Sequence, residues 1–184
     1  MNDRQRLIEL IRQRAYRRTE TPEITLASGK KSCFYFNLKK VICSSEGQYL
    51  AGRLVYDKIM ELGLSPDGVG GLTMGADPIS YATAYTFHLN HGAVEAFSIR
   101  KEPKDHGAGL QIEGNIGQGA RVIITEDVVT TGGSTIKAIT IARAHGLQVM
   151  GVIALLDRCE ENGRRNIEAQ GVPMHAILTI NDFQ

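Results

Sequence analysis

The stretch Val122-Ile-Ile-Thr-Glu-Asp-Val-Val-Thr-Thr-Gly-Gly-Ser-Thr135 decides how the rest of the chain is read. An apolar run, Val122-Ile-Ile, is followed by two adjacent carboxylates, Glu126 and Asp127. The chain then turns through Thr130, Thr131, Gly132, Gly133 and Ser134 into a segment with helical spacing. In a parallel sheet, ligands sit at the carboxyl ends of the strands, so the acids and the turn face a site. Glycines let backbone N–H groups point inward, the hydroxyls add donors, and the N-terminus of the following helix favours an anion. That half of the motif suits a phosphate. The two acids repel phosphate but suit ribose hydroxyls, or a Mg²⁺ held between those hydroxyls and a diphosphate. A ligand with a ribose beside a phosphate satisfies both halves. An ordinary strand–turn–helix with an acidic first turn is the structural alternative for the acids and glycines taken alone.

Outward from this stretch, strand and helix patterns alternate. Strands are expected at 68–73, 93–99, 121–125, 148–156 and 174–180, with helices at about 77–88 and 134–144. Nearly continuous apolar strands separated by helices imply an α/β fold: a central, mostly parallel sheet covered by helices on both faces. Upstream, Leu7, Ile8, Leu10, Ile11 and Ala15 mark an amphipathic helix. A second helix runs from about Ser45 to Leu62, with Leu50, Leu54, Ile59 and Met60 apolar and Gly63 as its stop. Glu23–Leu26 and Cys33–Asn37 read as two strands flanking a polar turn. Residues 1–184 are taken as one domain, with roughly 1–40 as an N-terminal helix and hood. Only 100–120 lacks a pattern, and a loop that long is usually functional. Gly114-Asn-Ile-Gly-Gln-Gly119 faintly matches a dinucleotide or P-loop sequence, but it precedes its strand and lacks the Gly-Lys-Ser/Thr ending.

The chain has 184 residues and a formal net charge of +1, which gives no general electrostatic reason to bind nucleic acid or a membrane. There is no secretory signal and no run of about twenty apolar residues, so a cytoplasmic protein is expected. Three widely spaced cysteines, Cys33, Cys43 and Cys159, are read as free thiols. His88, His91, His145 and His175 stand alone and are assigned no role.

The full string 122–135 closely resembles the signature of type I phosphoribosyltransferases. The resemblance implies that Glu126 and Asp127 contact ribose hydroxyls and that Thr130, Thr131, Gly132, Gly133 and Ser134 hold the 5′-phosphate of phosphoribosyl diphosphate. It also places Thr73, Met74, Gly75 and Ala76 at the diphosphate. A second segment, Arg100-Lys-Glu-Pro-Lys-Asp-His-Gly107, gathers three cations and a histidine. It is either a solvated loop with paired charges or a lid that neutralises a departing diphosphate. With Ile112-Glu-Gly114 downstream, it resembles the catalytic loop of the orotate phosphoribosyltransferases. The implied roles are Lys101 in its own site, and Arg100, Lys104 and His106 across a homodimer with shared active sites.

Two further segments are similar to the same family. Ser28–Asn37 corresponds to the orotate side, with Tyr35 and Phe36 as the aromatic pair near the base, although the segment taken alone is better explained as a hairpin with aromatic core positions. Ala154-Leu-Leu-Asp-Arg158 corresponds to the strand end whose arginine meets the orotate carboxylate, a planar group that a guanidinium fork matches bidentately. Asp157 and Arg158 could instead form a routine pair. Thr130 is implied at the base as well as at the phosphate. Two positions depart from the pattern: Met74 and Ala27 stand where many members have lysine. The resemblance implies Mg²⁺ as cofactor, small-molecule substrates, and transfer of the phosphoribosyl group to orotate to give orotidine 5′-monophosphate and diphosphate. A purine or uracil phosphoribosyltransferase, or a regulatory binding protein of the same fold, are the rival readings.

Overall fold

The computed structural model describes residues 1–25, 29, 31–102 and 111–184. The first helix, α1 (Asp3–Arg14), starts at a capping box. The Asn2 side chain accepts from the Gln5 N–H at 2.8 Å, and the Gln5 side chain accepts in return from the Asn2 N–H. Its spacing buries Leu7, Leu10 and Ile11 completely. Four short strands follow: β1 (Tyr16–Arg18), β2 (Ile24–Thr25), β3 (Lys31–Ser32) and β4 (Phe34–Phe36). They pair as two small antiparallel units, β1 with β4 and β2 with β3. The Ile24 strand thus forms a hairpin with Lys31–Ser32, nested inside the pair that Phe34–Phe36 makes with Tyr16–Arg18. Phe34–Phe36 leaves the Ile24 strand because Tyr16, Phe36 and Phe183 form an aromatic cluster with ring centroids 5.1 to 5.5 Å apart.

The chain continues through α2 (Lys39–Ile42), α3 (Ser45–Glu61), β5 (Gly68–Leu72), α4 (Asp77–Leu89), β6 (Glu95–Ile99) and β7 (Ile112–Gly114). Then come β8 (Arg121–Val129), α5 (Gly133–Ala144), β9 (Gln148–Asp157), α6 (Gly163–Glu168) and β10 (Met174–Thr179). Helix α3 stops as expected. Gly63 takes φ +64° and closes a Schellman motif, with Leu64 N–H on the Ile59 carbonyl at 3.1 Å. Met60, expected on the apolar face, is 52% exposed, whereas Val55 and Ile59 fill the core side.

The main sheet has the order β10-β9-β8-β5-β6-β7, parallel throughout except for β7, which runs antiparallel to β6. Both faces are covered, and the period of two assigns the residues. Ile123, Ile153 and Leu155 pack with α1, α3 and α4. Val122, Ile124, Val152 and Ala154 pack with α5 and α6. The fold is α/β with a central, mostly parallel sheet flanked by helices. Strand order reverses between β5 and β8, so the loops after these two strands diverge and leave a crevice at the carboxyl edge.

Five elements were not read from the sequence: β1, β3, α2, α6 and β7, the last inside the segment that showed no pattern. One strand is longer than expected. β8 runs through both acids to Val129, because Glu126 and Val128 stay in register with Ala154 and Leu156 of β9.

Candidate functional site

A cavity of about 490 Å³ opens at that carboxyl edge. Six residues singled out from the sequence line it: Tyr35, Phe36, Asp127, Thr130, Thr131 and Arg158. The end of β8 and the segments after β8 and β9 bring acid, hydroxyls and guanidinium to the cavity, and the small antiparallel units bring the aromatics. Thr25, Asn37 and Lys39 join the lining and were not expected.

The two acids diverge. Asp127 faces the cavity; its Oδ1 accepts from the Val128 N–H at 2.9 Å and its Oδ2 meets Lys39 Nζ at 3.0 Å. Glu126 turns the other way and is 5% exposed. Its Oε2 accepts from the Ser134 and Thr135 hydroxyls at 2.8 and 3.0 Å, so it ties β8 to the first turn of α5. Burial, and then the neighbouring charge of Asp127, raises the Glu126 carboxyl to about 7. Ser134, expected at the phosphate, has its hydroxyl proton directed at Glu126. Burial pulls the Lys39 ammonium down, but the charge and hydrogen bond of Asp127 outweigh that and leave it raised.

The turn itself is built for backbone donors. Gly132 has φ +80°, and a Cβ there would lie 2.9 Å from both the Gly163 carbonyl and Ile167 Cγ1. Gly133 follows as the first residue of α5, whose N-terminus points at the cavity edge. After β5, Thr73, Met74, Gly75 and Ala76 form the neighbouring loop, with a cis peptide between Thr73 and Met74. The Thr73 and Ala76 N–H groups are used by the Ile99 and Leu72 carbonyls. Gly75 lets this loop lie against the acid, since a Cβ would sit 2.7 Å from Asp127 Oδ1. The Met74 side chain is exposed.

Arg158 follows β9 and is 4% exposed. It does not pair with Asp157. Its Nη2 meets Glu160 at 2.8 Å, Ser32 Oγ at 3.0 Å and the Phe34 carbonyl at 3.3 Å, while Asp157 pairs with Arg164 at 3.1 Å. The guanidinium carbon lies 6.0 Å over the Phe36 ring. Phe36 lines the cavity and also packs on the core.

The chain matches the phosphoribosyl transferase domain family over residues 46–177. It is 43% identical over 183 residues to the orotate phosphoribosyltransferase of Aquifex aeolicus, covering 100% of this chain and 98% of that protein. With the Bradyrhizobium diazoefficiens orotate phosphoribosyltransferase it shares 42% identity, covering 98% and 95%. The chain belongs to the orotate phosphoribosyltransferase family. Among solved structures, the Mycobacterium tuberculosis orotate phosphoribosyltransferase superposes with a TM-score of 0.82 at 32% identity, covering 98% of each chain. The same enzyme in complex with 5-phospho-α-D-ribosyl 1-diphosphate gives 0.76 at 28% identity, covering 99% of this chain and 92% of that one.

The segment that opens at Arg100 starts from the same sheet edge. Arg100 follows β6, with its Nε on Glu113 at 2.9 Å, and Lys101 is exposed. Glu102 meets Lys137 of α5 at 3.1 Å, linking the end of the β6 segment to the helix after the Thr130–Gly133 turn. Lys104 and His106, and the departure at Ala27, lie outside the described residues. Lys39 is the residue sequence reading missed. Its position in Leu38-Lys39-Lys40 carries no motif, and only the fold brings it to Asp127, 88 positions away.

Proposed function

We propose that this cavity transfers the phosphoribosyl group of phosphoribosyl diphosphate to N1 of orotate, yielding orotidine 5′-monophosphate and diphosphate in UMP biosynthesis. One observation carries this reading. A single cavity is lined by Asp127, Thr130 and Thr131 on its ribose-phosphate side and by Arg158 with Tyr35 and Phe36 on its base side. A purine or uracil substrate would offer Arg158 no carboxylate.

The chemistry needs no strong base, since orotate is anionic at neutral pH and N1 supplies the electron pair. Breaking the bond from the anomeric carbon to the diphosphate develops oxocarbenium character on the ribose. The protein's part is to hold the ribose hydroxyls on Asp127, with Glu126 anchoring the turn behind it. The 5′-phosphate is held on the Thr130–Ser134 backbone, and the base against Tyr35 and Phe36 with Thr130 and Arg158. Arg100, Lys101, Lys104 and His106 neutralise the leaving group and exclude water. A Mg²⁺ would arrive with the diphosphate and meet Asp127. When bound, it supplies charge neutralisation of the diphosphate.

The same reading makes the enzyme a cytoplasmic homodimer that binds neither nucleic acid nor membrane. A tyrosine-rich face on α3 and α4, with Tyr49, Tyr81, Tyr85 and Leu89 all more than half exposed, supports pairing of two copies. Among the described residues no helix is long and apolar enough to cross a membrane.

Excess EDTA is expected to stop turnover and added Mg²⁺ to restore it. If Lys104 acts across the dimer, mixing inactive Lys104→Ala and Asp127→Ala chains recovers roughly a quarter of wild-type specific activity, because half the dimers are mixed and each has one intact site. Turnover that persists in EDTA rules out the metal, and no recovery on mixing rules out the shared site.

A further inference from the structure

Arg158 is a buried cation with more acceptors than it can serve at one nitrogen. Nη2 carries two N–H bonds, yet Glu160 Oε2, Ser32 Oγ and the Phe34 carbonyl all lie within 3.3 Å of it. Nε is buried and has no hydrogen-bond partner. A carboxylate binds a guanidinium bidentately along the Nε/Nη2 edge or the Nη1/Nη2 edge, and both include Nη2. A substrate carboxylate therefore cannot take up fork geometry while all three groups stay in place.

Two of the three are poor candidates for leaving. The Phe34 carbonyl is main chain, and Ser32 Oγ also accepts from the Phe34 N–H at 3.1 Å. Glu160 is different: its side chain is 32% exposed, and it stands in the irregular turn between β9 and α6. It can turn to water at small cost. Charge points the same way. Two carboxylates on one guanidinium that is 5% exposed would leave an unpaired buried anion, so the second carboxylate must replace the first.

We propose that Glu160 is an exchangeable internal counter-ion for Arg158, displaced by the carboxylate of the substrate, and that it thereby sets the enzyme's affinity for orotate. This rests on the reading of Arg158 as the carboxylate-binding residue. Glu160 keeps the guanidinium paired and oriented until a base with its own carboxylate arrives. A base without one finds the cation already neutralised and gains nothing from it. Glu160 is a positioning and specificity residue that touches no reacting atom.

The test is steady-state kinetics of Glu160→Gln beside Arg158→Gln, with orotate and phosphoribosyl diphosphate varied in turn. Gln keeps an acceptor oxygen for Nη2 and removes the competing charge. The expected result is a roughly threefold to tenfold lower KM for orotate, with the KM for phosphoribosyl diphosphate within about twofold of wild type and a larger rise in Tm on adding orotate. A residue that only anchors Arg158 gives the opposite sign, so an unchanged or raised KM for orotate in Glu160→Gln overturns the exchange. Arg158→Gln separates the two layers. If it raises the KM for orotate by about thirtyfold or more, Arg158 binds the carboxylate, and the Glu160 result alone judges the exchange. If it leaves that KM unchanged, the reading of Arg158 fails and the exchange falls with it.

Discussion

Asp127→Asn is expected to lower kcat/KM for both substrates by about 100-fold or more without lowering Tm. A hydrogen bond to a charged group contributes about 1.5–3 kcal/mol, and in the proposed complex Asp127 accepts from two ribose hydroxyls. Part of that binding strengthens as the ribose becomes cationic, so the loss reaches kcat as well as KM. Stability moves the other way. Glu126 and Asp127 are adjacent buried acids, and the second raises the first. The ion pair lost with Asp127 has a half-exposed lysine, and such pairs contribute roughly 0–1 kcal/mol. Removing one of two like charges therefore offsets the lost pair.

The same acids set a pH dependence. The folded Glu126 carboxyl lies at about 7, above its ordinary value near 4.5. A group raised in this way contributes stability that is complete below the unfolded value and is lost as pH rises through the folded one. Stability should thus decline from about pH 4.5 to about 7 on this group's account. Denaturant unfolding at several pH values should show the decline in the wild type, a flat response in Glu126→Gln, and a decline shifted to lower pH in Asp127→Asn. An Asp127→Asn enzyme with near-normal kcat/KM would remove Asp127 from the ribose.

A large loss of stability is expected from Gly70→Ala. Gly70 sits in the middle of β5, between β6 and β8. A Cβ there would lie 2.4 Å from the Phe97 carbonyl oxygen and 2.5 Å from two carbons of its ring. Neither neighbour can yield: one is main chain in the adjacent strand, and the other belongs to a side chain that is 0% exposed. Overpacking a core typically costs about 1–3 kcal/mol, and a clash with backbone falls at or above the top of that range. For a chain of this size, about 3 kcal/mol corresponds to a fall in Tm of roughly 10 °C. A thermal melt within about 2 °C of wild type would show that β5 and β6 separate more easily than their packing implies.

The parts of the molecule legible in the sequence are those where a local pattern and the final packing coincide. Ile123 and Ile124 alternate between the two faces of the sheet, and the strand–turn–helix of 122–135 carries its own chemistry. Strand β8 was cut short because Glu126 and Asp127 look like a surface turn. Their backbones nevertheless continue pairing with β9, and their side chains are satisfied by Ser134, Thr135 and Lys39. Tyr16–Arg18 is too short for any periodicity, so the partner of Phe34–Phe36 was hidden. Lys39 and Glu160 were invisible for another reason. Each is one charged residue beside another, in Lys39-Lys40 and Glu160-Glu161, and only the fold decides which one reaches the site.

The most direct measurement is the depletion of orotate, followed by its ultraviolet absorbance, with the purified protein. Loss of orotate is expected only when both phosphoribosyl diphosphate and Mg²⁺ are present, in step with formation of orotidine 5′-monophosphate. Orotate left untouched while uracil, adenine or hypoxanthine is consumed would contradict the account.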